Sequence, residues 1–477
     1  MPAITYSDWS GGLDRRLSIN SQDSSKLWTL RNAYITQAKR IEKRPGLQLL
    51  SSGLSGSYGL KAVSGALKVF CDTGSTFAPP TVSGLTIDKV SLDIPAAGAG
   101  SGSTLDRIYY ADLFQGYLYV VARYANRETR HHYVDGATTY ITDSNCPHTV
   151  GVTKAASRIF APSAENVRYC AAGDARDWTT ASDAGFLPAG LQQDTKSSVQ
   201  ACGTFQDSLV VFFDEAAQIW TVAVDPSANA ISKRIYGVGT EAPLSPASFF
   251  NDLVFLSPFG FRSMTVQEQT SRIDDNDVGS PIDSVVTPDL SAIDALADPD
   301  EIMGVWLPQL GQYWAVFDMG TYSKAWVYTF SRSAKIACWS EYTFPVRIRA
   351  ITTLAGTVYL RTDTSLYAVD ADQTTDDGTL VDVEVQMAFQ DAKSPGVDKQ
   401  VWGMDVVAGG SPDLSFLYDP RDTGKETVAM TIPGDTRPGD VLPVEIVAPA
   451  IAPVFRHSAD EAMNIDSLSL YYHLLKV

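Results

Sequence analysis

The chain has 477 residues, 44% of them hydrophobic, and a formal net charge of −18. That length allows two or three domains with a large core, and no run of about 18 apolar residues is present to span a membrane as a helix. The acidity disfavours a broad phosphate-binding surface, which needs clustered Lys and Arg.

The opening segment, Met1 to Trp9, has no basic stretch followed by an apolar one, so no secretory signal is expected. Cys71, Cys146, Cys170, Cys202 and Cys338 are odd in number and widely spaced. They read as buried thiols of a reducing assembly compartment rather than a disulfide framework or zinc site.

Along the chain, short apolar runs rich in Val, Tyr, Phe, Trp and Thr follow turn residues, and helical periodicity is scarce. Ser64-Gly65 precedes Ala66 to Phe70, Gln115-Gly116 precedes Tyr117 to Val121, and Ala155-Ala156 precedes Arg158 to Ala161. Gln206-Asp207 precedes Leu209 to Phe213, and Asn251-Asp252 precedes Leu253 to Leu256. Leu310-Gly311 precedes Tyr313 to Phe317, and Ala355-Gly356 precedes Thr357 to Leu360. A second strand often follows, as at Gln218 to Val222, Phe261 to Val266 and Ser365 to Val369.

These turns fall near 65, 116, 156, 207, 252, 311 and 356. Repeats of about 40–50 residues with several strands each are what propeller blades produce, because one small sheet cannot bury both faces without neighbours. The expectation is an all-β chain: a β-propeller of about seven blades over 51–384, with a small C-terminal β-sandwich or platform over 385–477. Residues 1–50 are expected to add strands to the propeller, closing it near Val358 to Val369.

Two insertions interrupt the pattern. Residues 72–106 hold Pro79-Pro80 and a Gly/Ala/Ser run at 96–103, expected as a flexible loop. Residues 267–300 are acidic, with one short helix expected around Asp283 to Val286 and another around Ser291 to Ala297.

Motifs for chemistry are few. His131-His132 should point to opposite faces of a strand, poor geometry for one metal. There is no H-E-x-x-H, nucleophile elbow or P-loop. Gly98-x-Gly100-x-x-Ser103 lacks the flanking strand and helix of a dinucleotide site. Asp274, Asp275, Asp277 and Asp283 do not match a calcium-loop spacing and read as a solvated acidic loop. The basic run Lys39 to Gly46 reads as a strand with an exposed charged face rather than a nucleic-acid patch. No cofactor or metal is expected.

The order of several weak motifs carries a resemblance. Asp8-Trp9-Ser10-Gly11-Gly12-Leu13-Asp14 is followed by Leu30-Arg31-Asn32-Ala33-Tyr34-Ile35 and Ile41-Glu42-Lys43-Arg44-Pro45-Gly46-Leu47. Downstream come Ala172 to Thr179, Gly203 to Phe212, Phe250 to Ser257 and Gly260-Phe261. Together they resemble the tail hub or nozzle proteins of short-tailed bacteriophages (podoviruses), the packaged-DNA stabilisation family.

The resemblance implies a non-enzymatic structural protein of the virion tail, assembled in the host cytoplasm. Its expected form is a homo-oligomeric, hexameric ring below the portal and adaptor. It would contact tail fibres or a tail needle and line the DNA exit channel without binding DNA specifically or entering a membrane. An acidic lumen follows from that role, with Glu268, Asp274, Asp275, Asp277, Asp283 and Asp289 as candidate channel-lining residues. The alternatives are a receptor-binding or fibre-associated propeller and a propeller glycosidase or lyase. The departures from the family, at 96–103 and 267–300, bear on fibre and gate contacts.

Overall fold

The computed structural model describes residues 2–20, 23–181, 183–193, 197–270, 277–297, 300–434 and 436–475. About 49% of the chain is strand and 5% helix. The chain folds as a β-propeller, with further sheet strands contributed by both ends of the chain.

The propeller is a succession of small sheets, numbered here in chain order. Unit one is Tyr58–Val63, Ala66–Asp72 and Ile87–Leu92. Unit two is Leu105–Phe114, Tyr117–Tyr124 and Thr129–Val134. Unit three is Thr153–Ala155, Arg158–Ser163, Asn166–Tyr169 and Gly185–Leu187. Unit four is Ala201–Phe205, Ser208–Phe212, Ala216–Thr221 and Ala230–Tyr236. Unit five is Ala247–Phe249, Asp252–Ser257 and Gly260–Ser263. Unit six is Met303–Leu307, Gln312–Asp318, Ser323–Ser331 and Ile336–Phe344. Unit seven is Ala350–Leu354, Thr357–Arg361 and Leu366–Asp370, completed by Gly46–Ser51 from far upstream.

The first two strands of each unit form a tight hairpin at the turns read from the sequence. Its short loop requires positive φ, and Ser64 (51°), Gly65 (78°), Gln115 (47°), Gly116 (85°), Ala355 (51°) and Gly356 (89°) supply it.

Alternation explains how units stack into a ring. In unit six, Tyr313, Ala315 and Phe317 point toward unit five, against Phe249, Val254 and Phe261. Trp314 and Val316 point the other way, against Val358 and Leu360 of unit seven. A strand buried on both faces reads as a continuous apolar run, and each buried large side chain contributes roughly 1.5–3 kcal/mol. Similar cores join units one to two, two to three, three to four and four to five. The circle closes where Ala350 and Leu366 of unit seven pack on Leu67 and Val69 of unit one.

Gly46–Ser51 makes that closure an antiparallel pairing, with Leu47 opposite Val369 and Leu49 opposite Tyr367. Of the strands before it, Gly12–Leu13 and Lys26–Arg31 touch unit six, and the rest go elsewhere. Ala3–Tyr6 pairs with Asn464–Leu474, and Ala33–Ile35 and Ile41–Lys43 extend the same sheet, which also holds Lys399–Gly409 and Leu442–Ala448. The alternation of exposed Ala3 and Thr5 with buried Ile4 and Tyr6 suits a strand covering one face of that sheet. Gly12–Leu13 and Lys26–Arg31 run from unit six into the facing sheet of Val383–Met387, Ala452–His457 and Asp413–Leu417. The platform is therefore built from both ends of the chain.

The two insertions are more ordered than a loop reading suggests. Within 72–106, Ile87–Leu92 pairs parallel to Ala66–Asp72. The glycine turn that follows is packed: a Cβ on Gly100 would sit 2.5 Å from the Tyr124 ring, and Glu128 accepts its N–H at 2.7 Å. Within 267–300 the two expected helical pieces are one helix, Asp283–Asp294, with Pro288 inside it. Burial of Ile282, Val286 and Ile293 in the main core holds that helix despite the proline. Another helix, Met264–Thr270, precedes it.

Candidate functional site

The structure places the residues singled out in the sequence mostly inside the fold. Asp277 is buried and accepts N–H bonds from Ser263 at 3.0 Å and Val278 at 2.7 Å. Asp283 accepts from buried Arg262 at 3.0 Å, and burial raises the pKa of both carboxyls. Asp289 accepts from Trp326 Nε1 at 2.9 Å and pairs with Lys324 at 2.8 Å. Glu268 is half-buried on the first helix, and Asp274 and Asp275 lie outside the described residues. Asp277, Asp283 and Asp289 are thus partners of Arg262, Lys324 and Trp326 within the subunit.

The basic run is exposed at its start, where the Lys39 and Arg40 side chains are 39% and 40% exposed, and internal at its end. Lys43 is 6% and Arg44 2% exposed. Lys43 donates to the backbone of Ala459 at 2.8 Å. Arg44 is doubly bonded to Asp376 at 2.9 and 2.5 Å. It also donates to Asn32 Oδ1 at 3.0 Å and the Thr343 carbonyl at 2.8 Å. Gly46 is required beside it, since a Cβ there would meet the Thr375 carbonyl at 2.2 Å.

The histidine pair splits across unit two. His131 contacts Tyr119 Oη at 2.7 Å on the side of unit three, and His132 contacts Tyr124 Oη at 2.7 Å on the side of unit one. All five cysteines are buried free thiols. Among the described residues, no cluster of three His, Cys, Asp or Glu could hold a metal ion.

The cluster of charge that no motif announced lies at one mouth of the propeller, where first strands begin and second strands end. Its cavity of about 310 Å³ is lined by Arg107 and Arg123 of unit two, Arg361 of unit seven and Arg347 and Arg349 of the connector before it. Asp106, Asp300 and Asp363 share the lining.

Register shifts between Leu105 and Arg107 and between Ile108 and Tyr110 re-aim the start of unit two's first strand. Arg107 then stands directly across from Arg123, a repulsive pair unless each is matched. Asp106 holds Arg123 at 2.5 Å, and Asp300 lies 2.8 Å from Arg107. Arg349 joins Asp300 at 2.8 Å, Asp318 at 2.6 Å and Asp363 at 3.0 Å, while Arg347 holds Asp318 at 2.6 Å. Arg361 is 1% exposed and ties Ser57 Oγ and the Gly59 carbonyl at 3.0 and 3.1 Å. Burial pushes its pKa down to about 10.

Asp300 thus ties units six, seven and two across the approach of unit one, with the Tyr109 hydroxyl donating to it at 3.3 Å. Further along the axis Asp112 is shared by Lys61 at 3.2 Å and Lys154 at 2.5 Å. The axis is braced by ion pairs, and a cavity of this size holds on the order of ten waters.

Chemically, the aspartates serve as ion-pair acceptors for the arginines. Burial raises the Asp318 carboxyl, but the bonds from Arg347 and Gly320 outweigh it and leave the pKa lowered. Glu301 behaves differently: burial, then the Asp300 charge, pushes it up to about 7. In the sequence, only the Arg347-Ile348-Arg349 alternation hinted that two guanidinium groups share a face. Arg107, Asp300 and Asp363 are too far apart in the chain to be associated by spacing.

No protein-family model and no curated protein matches the chain. Among solved structures it is similar to BamB from Moraxella catarrhalis, at 8% identity and TM-score 0.31, covering 71% of this chain and 81% of that one. It is similar to the Pan2 WD40 domain of Neurospora crassa at 9% identity and TM-score 0.35, covering 71% and 87%. An exo-β-1,3-galactanase from Phanerochaete chrysosporium aligns at 12% identity and TM-score 0.26, covering 71% and 98%.

Proposed function

We propose that the chain is a structural subunit of a short-tailed phage tail, a seven-bladed nozzle or hub protein that assembles as a hexameric ring in the virion. In this reading it docks below the adaptor, meets fibres or a needle, and conducts packaged DNA without binding it specifically. The observation that carries the reading is what the resemblance motifs do. Trp9 is fully buried and stacks with Tyr6 at 6.1 Å, Leu13 pairs with Trp339 of unit six, and Lys43 and Arg44 lock platform to propeller. They are joints of one rigid subunit, as a load-transmitting ring needs.

The braced axis supports the same reading. A duplex whose major groove alone is about 12 Å wide cannot thread a cavity of about 310 Å³, so in this reading the DNA path lies between copies. A net charge of −18 per chain, repeated around a ring, would repel phosphate and keep that path slippery.

The glycosidase alternative needs a raised acid beside a free carboxylate. Glu301 supplies the first, but Asp106, Asp300, Asp318 and Asp363 are all held in ion pairs. Light scattering tests the proposal: the purified chain should have a mass about six times 51.6 kDa, and a strictly monomeric mass at high concentration would refute it.

A further inference from the structure

We propose that the cavity at the propeller mouth binds a small oxyanion with several acceptor oxygens, of the phosphate or sulfate class. Three observations converge on this. The first is charge. Arg107, Arg123, Arg347, Arg349 and Arg361 are five cations at the site, and Asp106, Asp300, Asp318 and Asp363 are four anions, which leaves one positive charge in excess in a chain that is strongly acidic overall.

The second is donor geometry. Arg123 and Arg347 use Nε and Nη2 on Asp106 and Asp318, and Arg349 uses Nε and Nη1. Nη1 of Arg123, Nη1 of Arg347 and Nη2 of Arg349 make no hydrogen bond within the described residues. Arg107 Nε lies 2.8 Å from Asp300, yet its N–H is misaligned, so this buried donor is without a hydrogen bond. Guanidinium groups bind oxyanions best through paired, charge-assisted N–H bonds.

The third is size and setting. A polar-walled cavity of about 310 Å³ is large enough for a hydrated oxyanion. Glu301, next to Asp300, is held partly protonated near neutral pH by burial, so it cancels only about half of the one excess positive charge there. As pH falls its remaining charge is lost, and anion binding strengthens.

The test is calorimetric titration of the purified full chain with inorganic phosphate and with sulfate, against chloride at matched ionic strength. Saturable binding of one ion per chain is expected. Arg123→Gln and Arg347→Gln should each weaken it by about tenfold or more, while Arg421→Gln, on an exposed loop with an 88% exposed side chain, leaves it unchanged. Melting curves of both variants establish that they fold. Sulfate, which stays doubly charged, should bind more tightly at pH 6 than at pH 8, and Glu301→Gln should flatten that difference. A response to phosphate no greater than to chloride overturns the proposal. So does binding untouched by either arginine change, or displacement of bound phosphate by a short DNA duplex.

Discussion

Arg44→Met isolates the joint between propeller and platform. The substitution keeps much of the apolar stem over Phe344, where the guanidinium now lies 4.5 Å from the ring centroid. It removes both bonds to Asp376, which is 4% exposed, and the donors to Asn32, Thr343 and Pro45. Stranding a buried carboxylate costs about 3–5 kcal/mol. A propeller of roughly 330 residues, at about 2.1 cal/mol/K per residue, has an unfolding entropy near 0.7 kcal/mol/K. A loss of about 4 kcal/mol therefore lowers the melting temperature by about 6 °C. Arg44→Met with Asp376→Asn removes the stranded charge and should recover about half of that. Differential scanning calorimetry reads both. A single variant melting within about 1 °C of the parent, or a double variant no better than the single, would refute the reasoning.

Other outcomes follow from the same structure. Deleting residues 1–47 strips three strands from one platform sheet, two from the facing sheet and the start of the closing strand of unit seven, so the truncated chain should aggregate on size-exclusion chromatography; a monodisperse product with an unchanged melting temperature contradicts this. Alkylation of the native protein should leave all five buried cysteines unmodified, and denaturation should expose five; fewer than five after denaturation without reductant would reveal a disulfide. Burial lowers His131 to about 4 and His132 to about 3 from an unfolded value of 6.5. Their neutral forms favour the fold fully above pH 6.5, and that contribution is lost as pH falls toward 4 and 3. The melting temperature should therefore drop between pH 6.5 and 4.5 more steeply in the parent than in His131→Gln/His132→Gln, and parallel slopes would reject the assignment.

Much of the propeller was legible in the sequence because hairpin chemistry is local. Gln115-Gly116 and Ala355-Gly356 specify their turns by what φ they tolerate, and runs such as Leu209 to Phe213 report burial on both faces. The platform's use of the N-terminal strands was not legible, since the pairing of Ile4 with Leu470 spans nearly the whole chain. The acidic 267–300 segment misled for a related reason. Asp277 and Asp283 look solvated until the fold delivers Arg262 between them, and Lys43 and Arg44 look exposed until Asp376, Ala459 and Thr343 arrive. The mouth cavity was hidden in the same way, its charges drawn from units two, six and seven with no shared spacing.

The central claim is that copies of this chain form a ring around a channel that no single propeller provides. Negative-stain electron microscopy of the purified full-length protein tests it most directly. The account predicts closed six-fold rings with a central hole wide enough for a DNA duplex, lying between subunits and not within one. Isolated particles of single-propeller size at every concentration, or rings with no central opening, would contradict it.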